Sequence, residues 1–226
     1  MSAKSPKLSV FLDFDNTITA FDVLDDIIKR FSVDRNWVGL EKDWKEGRIG
    51  SRQCLSGQLK GVRVTKKDLS RYLSVIKLDR GFLPLFERLK AQGIRPVILS
   101  DSFTFFIRTI LSRHGIKGVR IYSNRIRFDG DKVVPLFPYV NKGCLKCANC
   151  KTSHLPDKNA VGKTAVVYIG DGLSDVCPAT HADIVFAKGS LLSNLRARKK
   201  ACIKIRDLRD VDRYFKEAGN GTKGKN

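Results

Sequence analysis

Short apolar runs alternate with longer amphipathic segments along most of the chain. Residues 8–14, 95–100 and 165–169 are mostly apolar, and each run has the length of a buried strand. Between these runs apolar residues recur at helical spacing, for example in residues 82–89, and Gly93 marks the end of that pattern. Strands that alternate with helices are typical of an α/β fold with a mostly parallel sheet.

One long stretch, residues 20–77, contains helical patterns but no run that resembles a strand. Val23, Ile27 and Phe31 are spaced as on one face of a helix. Because this stretch directly follows the first strand, it predicts a small helical cap inserted into the sheet domain. The predicted organisation is a core of residues 1–19 and 78–218, a cap of residues 20–77 and a disordered basic tail of residues 219–226.

Each of the three apolar runs ends in oxygen-bearing side chains. These are Asp13 and Asp15 after the first run, Ser100 and Asp101 after the second, and Asp171 and Asp175 after the third. One such ending alone is typical of a solvated turn, but the carboxyl ends of parallel strands meet at one edge of a sheet. Three endings at that edge predict a site, and hard oxygen ligands around a crevice favour Mg²⁺.

The composition narrows the partners that this protein can have. The 226 residues include 43 Lys and Arg against 23 Asp and Glu, which gives a formal net charge of +20. The basic residues are spread over the chain, so we interpret them as a solubilising surface that attracts phosphate and do not favour nucleic acid as a partner. No apolar run reaches membrane-spanning length and no signal sequence is visible, so the sequence predicts a cytoplasmic protein without membrane contact.

The motifs at the strand ends, taken in order, resemble the haloacid dehalogenase superfamily of phosphatases, in the subclass with a C1 helical cap. The motifs are Asp13-Phe14-Asp15, Ser100-Asp101-Ser102, Cys150-Lys151 and the segment from Gly170 to Asp175, and the resemblance covers residues 8–215. It implies a Rossmannoid parallel-sheet core with the cap after the first strand. It also implies Mg²⁺-dependent hydrolysis of a small phosphorylated metabolite through an aspartyl-phosphate.

The same resemblance assigns roles to individual residues. Asp13 would be the nucleophile, Asp15 the general acid and then the general base, and Ser100 and Lys151 would bind the phosphoryl group. The implied substrate contacts are Thr17, Asp22, Asp101 and Gly172, and the implied metal ligands are Asp13, Asp15 through its backbone carbonyl, Asp171 and Asp175.

Two of these assignments have alternatives. Lys151 matches the Cys-Lys that precedes the last motif in related phosphatases, whereas Lys163 is nearer to the third strand and is the other possible lysine. Asp22 stands where phosphoserine phosphatases carry a glutamate that binds the substrate amine. It is equally well placed to cap the first helix of the cap.

The resemblance ranks three substrate classes. Ser100-Asp101-Ser102 departs from the Ser-Gly-Gly of phosphoserine phosphatases and is similar to the phosphoethanolamine/phosphocholine phosphatases, which we therefore place first. The methionine-salvage phosphatase, which acts on 2-hydroxy-3-keto-5-methylthiopentenyl-1-phosphate, comes second, and phosphoserine phosphatase comes third. A basic nucleic-acid-binding protein with a degenerate phosphatase site is the alternative of another class.

A cysteine-rich loop precedes the third strand. Cys144, Cys147, Cys150 and His154 have spacings compatible with a structural Cys₃His zinc site. The alternative is a reduced loop that positions Lys151, and we favour this alternative because a zinc clamp and an inward-pointing Lys151 would compete for one short segment.

Overall fold

The computed structural model describes residues 8–141, 143–144, 146–157 and 164–221. These residues form a seven-stranded sheet in the order β4-β3-β2-β1-β5-β6-β7, in which every neighbouring pair is parallel except β3 and β4. The strands are β1 (Leu8–Leu12), β2 (Val97–Phe103), β3 (Arg120–Asp129), β4 (Lys132–Leu136), β5 (Ala165–Gly170), β6 (Ile184–Ala187) and β7 (Ile203–Lys204). The α/β fold class predicted from the alternating pattern is confirmed.

Helices cover the sheet and form the insertion after β1. The helices are α1 (Val23–Phe31), α2 (Asn36–Lys45), α3 (Ser51–Lys60), α4 (Lys66–Leu73), α5 (Phe82–Ala91), α6 (Thr104–Arg113), α7 (Val176–His181), α8 (Gly189–Ala197) and α9 (Leu208–Gly221). No helix among the described residues is long and apolar enough to cross a membrane.

The central strand β1 divides the core because alternate residues point to opposite faces. Val10 and Leu12 join a large apolar cluster that extends into the cap, whereas Phe11 joins a smaller one beneath α7 and α8. Tyr168 on β5 pairs with Phe11 and is fully buried in the smaller cluster. The sheet is therefore covered on both faces, and the carboxyl ends of β1, β2 and β5 are left as the accessible edge.

The two segments that join cap and core run side by side. Thr19 and Leu78 form an antiparallel bridge, and the amide of Ala20 donates to the carbonyl of Lys77 at 3.2 Å. The predicted cap boundaries fall on this paired neck. A second contact joins the cap to the core, where the amide of Val64 donates to the carbonyl of Asp131 at 2.7 Å. The turn of the β3–β4 hairpin thus touches the cap.

The C-terminal region differs from the sequence prediction in two places. Helix α9 continues to Gly221, so residues 219–221 of the predicted disordered tail are helical, and residues 222–226 lie outside the described residues. Strand β7 was not predicted because it has only two residues, and both are exposed. Neither difference affects the edge of the sheet that carries the acidic side chains.

Candidate active site

The chain turns sharply where β1 ends. The amide of Asp13 still donates to the carbonyl of Ile169 at 2.9 Å, and Asn16 then adopts a positive φ of 50°. Asparagine tolerates this left-handed conformation better than most residues. Its side-chain amide donates to Oδ2 of Asp171 at 2.7 Å. The turn after β1 is therefore fastened directly to the carboxylate that follows β5.

A buried ammonium lies at the centre of the site. Nζ of Lys151 is 2.6 Å from Oδ1 of Asp13, 2.6 Å from Oδ1 of Asp175 and 3.2 Å from Oγ of Ser174. Burial acts to lower the pKa of Lys151, but the attraction of Asp13 and Asp175 outweighs it and holds the pKa well above its usual value. The structure thus brings Lys151 to the predicted nucleophile, while Lys163 lies outside the described residues.

Asp175 is saturated with hydrogen bonds. Its Oδ1 accepts from Lys151 and from the Tyr168 hydroxyl at 2.7 Å, and its Oδ2 accepts from the amides of Asp171 and Gly172 at 3.0 Å each. A Cβ at Gly170 would collide with this carboxylate, so only glycine fits there. Because both oxygens of Asp175 are engaged, its geometry suits holding the lysine and the loop in place.

Three carboxylates approach closely enough to share a cation. One oxygen each from Asp13, Asp171 and Asp175 lies within 4.8 Å of the other two, and no other group of this kind occurs among the described residues. Three carboxylates against the single ammonium of Lys151 leave two uncompensated negative charges. One divalent cation balances that excess, and the oxygen-only donor set is the one that Mg²⁺ prefers.

The pKa values of these carboxyls reflect the same excess of negative charge. Burial and the charge of Asp175 raise the pKa of Asp13 more than the adjacent Lys151 lowers it. Burial and Asp175 also raise the pKa of Asp171, although hydrogen bonds from Asn16 and Thr17 oppose the shift. A bound cation would relieve both shifts, because it favours the ionised form of each carboxyl.

Asp15 is held by the cap. Its Oδ1 accepts hydrogen bonds from the amides of Val23 at 3.1 Å and Leu24 at 3.2 Å, in the first turn of α1. Burial raises the pKa of Asp15 to about 6, although the Leu24 and Val23 hydrogen bonds oppose the shift. A carboxyl in this range can both donate and accept a proton near neutral pH.

The second half of β2 connects the site to the cap and to the cysteine loop. The strand does not end at Ser100 as predicted but continues to Phe103, with an irregular register between Ser100 and Phe103. Ser100 is buried, lines the site and accepts from the amide of Ser102 at 3.0 Å. The carboxylate of Asp101 accepts from the amide of Asn149 at 3.3 Å, and the hydroxyl of Ser51 on α3 opposes the rise that burial causes in the pKa of Asp101. Asp101 also borders the cavity, so it is placed both to dock the cap and to face a substrate.

A small cavity of about 110 Å³ lies between the core and the cap and is lined by residues of both. The predicted site residues Asp13, Asp15, Asp22, Ser100, Asp101, Asp171 and Gly172 all line it. Thr17 does not line it, because its hydroxyl is buried and donates to Oδ1 of Asp171 at 3.0 Å. In the structure the Thr17 hydroxyl thus holds a carboxylate of the site, and its substrate contact stays a prediction.

Asp22 has the capping role that was one of its two predicted alternatives. Its side chain accepts from the amide of Asp25 at 2.8 Å at the start of α1. It also lines the cavity, where burial and the charge of Asp15 raise its pKa to about 8. Capping uses one oxygen of this carboxyl, so the two roles are compatible.

Three positioning residues escaped the sequence analysis. Tyr168 lies inside an apolar run, and its hydroxyl donates a hydrogen bond to Asp175. That hydroxyl is the one feature in the sequence that could have indicated this contact. Asn149 donates from Nδ2 to the carbonyls of Ser100 and Tyr122, both at 2.9 Å. Oγ of Ser51 accepts a hydrogen bond from the amide of Ala148 at 2.9 Å. None of these long-range partners could be identified from spacing along the chain.

The cysteine loop does not assemble as a metal centre. The ring of His154 stacks on Tyr122 with centroids 4.1 Å apart, and its Nε2 lies 3.0 Å from Oδ1 of Asn149. Cys144, Cys147 and Cys150 have free thiols, and these residues form no ligand cluster with His154 within the described residues. The geometry gives no support to the zinc alternative.

Comparisons with known proteins identify the family of this chain. A family model described as Putative Phosphatase matches residues 8–204. A 2-hydroxy-3-keto-5-methylthiopentenyl-1-phosphate phosphatase of Geobacillus thermodenitrificans is 31% identical over 192 residues, which are 82% of this chain and 85% of the relative. The protein of the same name from Exiguobacterium sp. is 25% identical over 92% of this chain and 96% of its own length.

The fold is shared with a solved enzyme. A substrate-bound phosphoserine phosphatase complex superposes with a TM-score of 0.70 at 20% identity, over 93% of this chain and 99% of the other. At this level of identity the match describes the shared architecture and leaves the substrate open.

Proposed function

Because this chain belongs to the putative phosphatase family, within the haloacid dehalogenase superfamily, we propose that it hydrolyses a small phosphomonoester whose alcohol carries a positive charge, of the phosphoethanolamine or phosphocholine kind. The phosphatase part of this proposal is carried by one observation. The buried Lys151 ammonium lies 2.6 Å from Asp13, beside the carboxylates of Asp171 and Asp175. The charge on the alcohol is argued separately, from the wall of the cavity.

The proposed chemistry gives Asp13 and Asp15 separate tasks. In the part of the chain that the structure describes, Lys151 occupies Oδ1 of Asp13 and leaves Oδ2 without a partner. We assign Oδ2 as the atom that attacks phosphorus to form an aspartyl-phosphate. Asp15 gives its proton to the departing alcohol, and the resulting carboxylate then takes a proton from the water that hydrolyses the intermediate.

Positive charge around the phosphoryl oxygens supplies most of the stabilisation in such a transfer. Lys151 provides one fixed charge. Mg²⁺ bound by Asp13, Asp171 and the backbone carbonyl of Asp15 would supply the rest and bring the phosphate to the nucleophile. Asp175 keeps Lys151 and the loop after β5 in place through its four hydrogen bonds.

The cap side of the cavity supports a cationic substrate. Asp22, Asp25 and Glu41 line this wall together with Trp44, and no lysine or arginine of the described residues lines the cavity. The ammonium groups of Lys29 and Lys45 already pair with Asp25 and Glu41 from outside. The carboxyl of Asp22, once ionised, together with the indole ring of Trp44 suits a primary or quaternary ammonium group.

Two other substrate classes are alternatives that an activity assay can distinguish from the proposed one. The names of the relatives from Geobacillus and Exiguobacterium favour a methionine-salvage enol phosphate, and Leu55 and Cys54 offer the cavity wall an apolar part. Phosphoserine fits less well, because its carboxylate would face the acidic wall without a basic partner.

A panel of phosphate esters tests the proposal directly. The panel contains phosphocholine, phosphoethanolamine, the enol phosphate, phosphoserine and glycerol 3-phosphate, each with Mg²⁺ and with a chelator. We expect turnover only with Mg²⁺ and the highest kcat/KM for the two cationic esters. A higher kcat/KM for the enol phosphate would replace the proposed substrate, and equal rates with chelator would contradict the proposed metal site.

The pH dependence of substrate choice should follow Asp22. Its pKa of about 8 means that the carboxyl is mostly neutral at pH 7 and ionised at pH 9. The ratio of kcat/KM for phosphocholine over glycerol 3-phosphate should therefore rise between these pH values, by roughly three- to tenfold for one partly screened charge. Using the ratio removes the titration that the two phosphate groups share.

The Asp22→Asn variant should flatten this pH profile. Asparagine caps helices as well as aspartate does, so the fold of α1 is retained. Asp26→Asn, in the same turn but outside the lining of the cavity, serves as the matched control and should keep the rise. An unchanged profile in Asp22→Asn would remove Asp22 from substrate recognition.

A further inference from the structure

A second cavity lies at the amino edge of the sheet, at the opposite end of the strands from the candidate active site. It is open, has a volume of about 900 Å³, and is lined by the first residues of β1, β2 and β3, which are Leu8, Val97 and Arg120. The loops before β2 and β3 and the last turn of α5 complete its wall. The five residues of β1 span roughly 17 Å, so this amino-edge cavity is remote from Asp13.

The two cavities carry opposite charge. Seven carboxyl side chains and no lysine or arginine of the described residues line the cavity of the candidate active site. The lining of the amino-edge cavity is the reverse, because within the described ranges it contains no carboxyl and four cationic side chains: Lys90, Arg95, Lys117 and Arg120. Without a bound metal, an anion is therefore attracted to the amino edge and repelled at the carboxyl edge.

The four cations have almost no anionic partners within the protein. Lys90 lies 3.9 Å from Glu87, and both side chains are so exposed that the pair is weak. Arg95, Lys117 and Arg120 form no ion pair with any carboxylate of the described residues. The segments outside the described residues contain no aspartate or glutamate, so they supply no carboxylate side chain either. A bound anion would lower the mutual repulsion of these charges.

Backbone pairing keeps three of the cations close together. Arg120 of β3 is the register partner of Val97 of β2, and neighbouring strands lie roughly 4.8 Å apart. Arg95 comes two residues before Val97, and Lys117 comes three residues before Arg120. Gly118 has a positive φ of 74° in the turn between Lys117 and Arg120. The starts of β2 and β3 therefore hold these charges around one opening.

The floor of the amino-edge cavity is apolar. Phe86, Ile94 and Val119 line it, and each packs against the large apolar cluster while remaining partly exposed. Val97 lines it as well and packs against the smaller cluster. An inorganic phosphate would leave this floor exposed to water, whereas a ligand with a ring would cover it. The wall and the floor together thus favour an anion with an apolar or aromatic part.

We propose that the amino-edge cavity binds a nucleotide with a di- or triphosphate chain. The phosphates lie against Arg95, Lys117 and Arg120, and the base covers the apolar floor beside Phe86. The cavity has the size of a small-molecule site, for which roughly 300–1,000 Å³ is usual. This site is separate from the proposed phosphatase chemistry, because the two cavities share no lining residue.

Calorimetric titration of the full chain at low salt, with a chelator present, tests the ligand class. Without metal, the acidic cavity repels phosphate, so binding under these conditions reports the amino edge. We expect one ATP bound per chain, weaker binding of tripolyphosphate, which has the same phosphate chain without the nucleoside, and no binding of adenosine. Absence of ATP binding would overturn the proposal. Tripolyphosphate that binds as tightly as ATP would overturn the assignment of a nucleotide.

Charge reversal tests the location. The double variant Arg95→Glu/Lys117→Glu should lower the affinity for ATP roughly tenfold or more, because two attractions become repulsions. The control Lys60→Glu/Lys67→Glu changes the net charge equally at exposed positions of α3 and α4 and should bind ATP like the parent. Thermal melting should show that both variants fold. An equal loss of affinity in both would assign the effect to net charge and overturn the proposal.

A variant of the floor tests where the base lies. Phe86→Leu keeps an apolar side chain but removes the ring, so the affinity for ATP should fall roughly fivefold or more. The affinity for tripolyphosphate should stay the same, which also shows that the variant is folded. An unchanged affinity for ATP would remove Phe86 from the site. Hydrogen exchange should show protection by ATP at residues 92–97 and 117–120, and protection only at residues 171–176 would overturn the location.

Two anionic macromolecules are the competing occupants. A single-stranded oligonucleotide and vesicles that contain phosphatidylserine are titrated under the same conditions. If either binds the parent more tightly than ATP does and loses this binding in Arg95→Glu/Lys117→Glu, the nucleotide proposal is overturned in its favour. None of these measurements requires turnover, so a failure of the proposed phosphatase function would leave their outcome unaffected.

Discussion

Replacing Asp13 with asparagine should reduce kcat/KM by about 10⁴-fold or more and should leave the protein at least as stable as before. Asparagine keeps the size of the side chain and its contact with Lys151, but its amide cannot form the covalent phosphoryl intermediate. Initial rates with a generic aryl phosphate and saturating Mg²⁺ measure the loss of activity.

The stability half of this prediction follows from the sign of the pKa shift. The raised pKa of Asp13 means that folding disfavours its ionised form, so in the absence of metal its contribution to stability is lost as the pH rises through that pKa. The asparagine variant lacks this cost. Its melting temperature in metal-free buffer should therefore equal or exceed that of the parent, with a gap that widens as the pH rises.

The control is Asp129→Asn, an exposed carboxylate at the β3–β4 hairpin that should change neither activity nor stability. Turnover of Asp13→Asn above a few per cent of the parent rate would remove Asp13 as the nucleophile. A markedly lower melting temperature would show that its carboxylate serves the fold more than the chemistry.

Replacing Lys151 with methionine should damage both activity and stability. The methionine leaves Asp13 and Asp175 buried together without their shared ammonium, and breaking a buried ion pair in this way costs about 3–5 kcal/mol. The loss of a fixed positive charge at the phosphoryl group should lower kcat/KM by roughly 10³-fold. Chemical denaturation in metal-free buffer and steady-state rates with Mg²⁺ measure the two effects.

The pH dependence of Lys151→Met identifies the cause. Without the ammonium, nothing opposes the effect of burial and of the Asp175 charge on Asp13, so the pKa of Asp13 rises further and its carboxyl accepts a proton at mildly acidic pH. The free energy of unfolding should therefore be closest to that of the parent near pH 5 and should fall as the pH rises. Lys146→Met removes an exposed lysine of the same loop and should behave like the parent. An equal loss of unfolding free energy at every pH would show that Lys151→Met destabilises the protein through altered packing and not through the loss of the positive charge.

The main features of the fold and the acidic edge were predictable because they depend on short-range patterns. Apolar runs of strand length, each ending in oxygen-bearing side chains, predict from the sequence alone that Asp13, Asp15, Ser100 and Asp171 lie near one another. Lys151 was identified by the resemblance of Cys150-Lys151 to related phosphatases. No physical pattern in the sequence indicates that a lysine fourteen residues before β5 would reach β1.

The remaining features depend on contacts between distant parts of the chain. Tyr168 looks like any aromatic residue of a buried strand until its hydroxyl meets Asp175. Ser51 and Asn149 are polar residues in unremarkable surroundings, and their roles appear only when the cap, β2 and the cysteine loop come together. Helix α9 extends beyond its prediction because the disordered tail was expected to begin at Gly219.

The hydrogen bonds from the first turn of α1 to Asp15 constrain how this enzyme can diversify. A change of substrate is most easily achieved by altering the cap wall, yet the same insertion supplies the two amides that fix the proton carrier. Substitutions around Glu41 and Trp44 can therefore change the cavity wall without cost to the chemistry. Changes that move the backbone of Val23 and Leu24 cannot, because they displace Asp15. Engineering or natural drift should exchange the distal half of the insertion and preserve its entry turn, so that new specificities arise without rebuilding the acid–base chemistry.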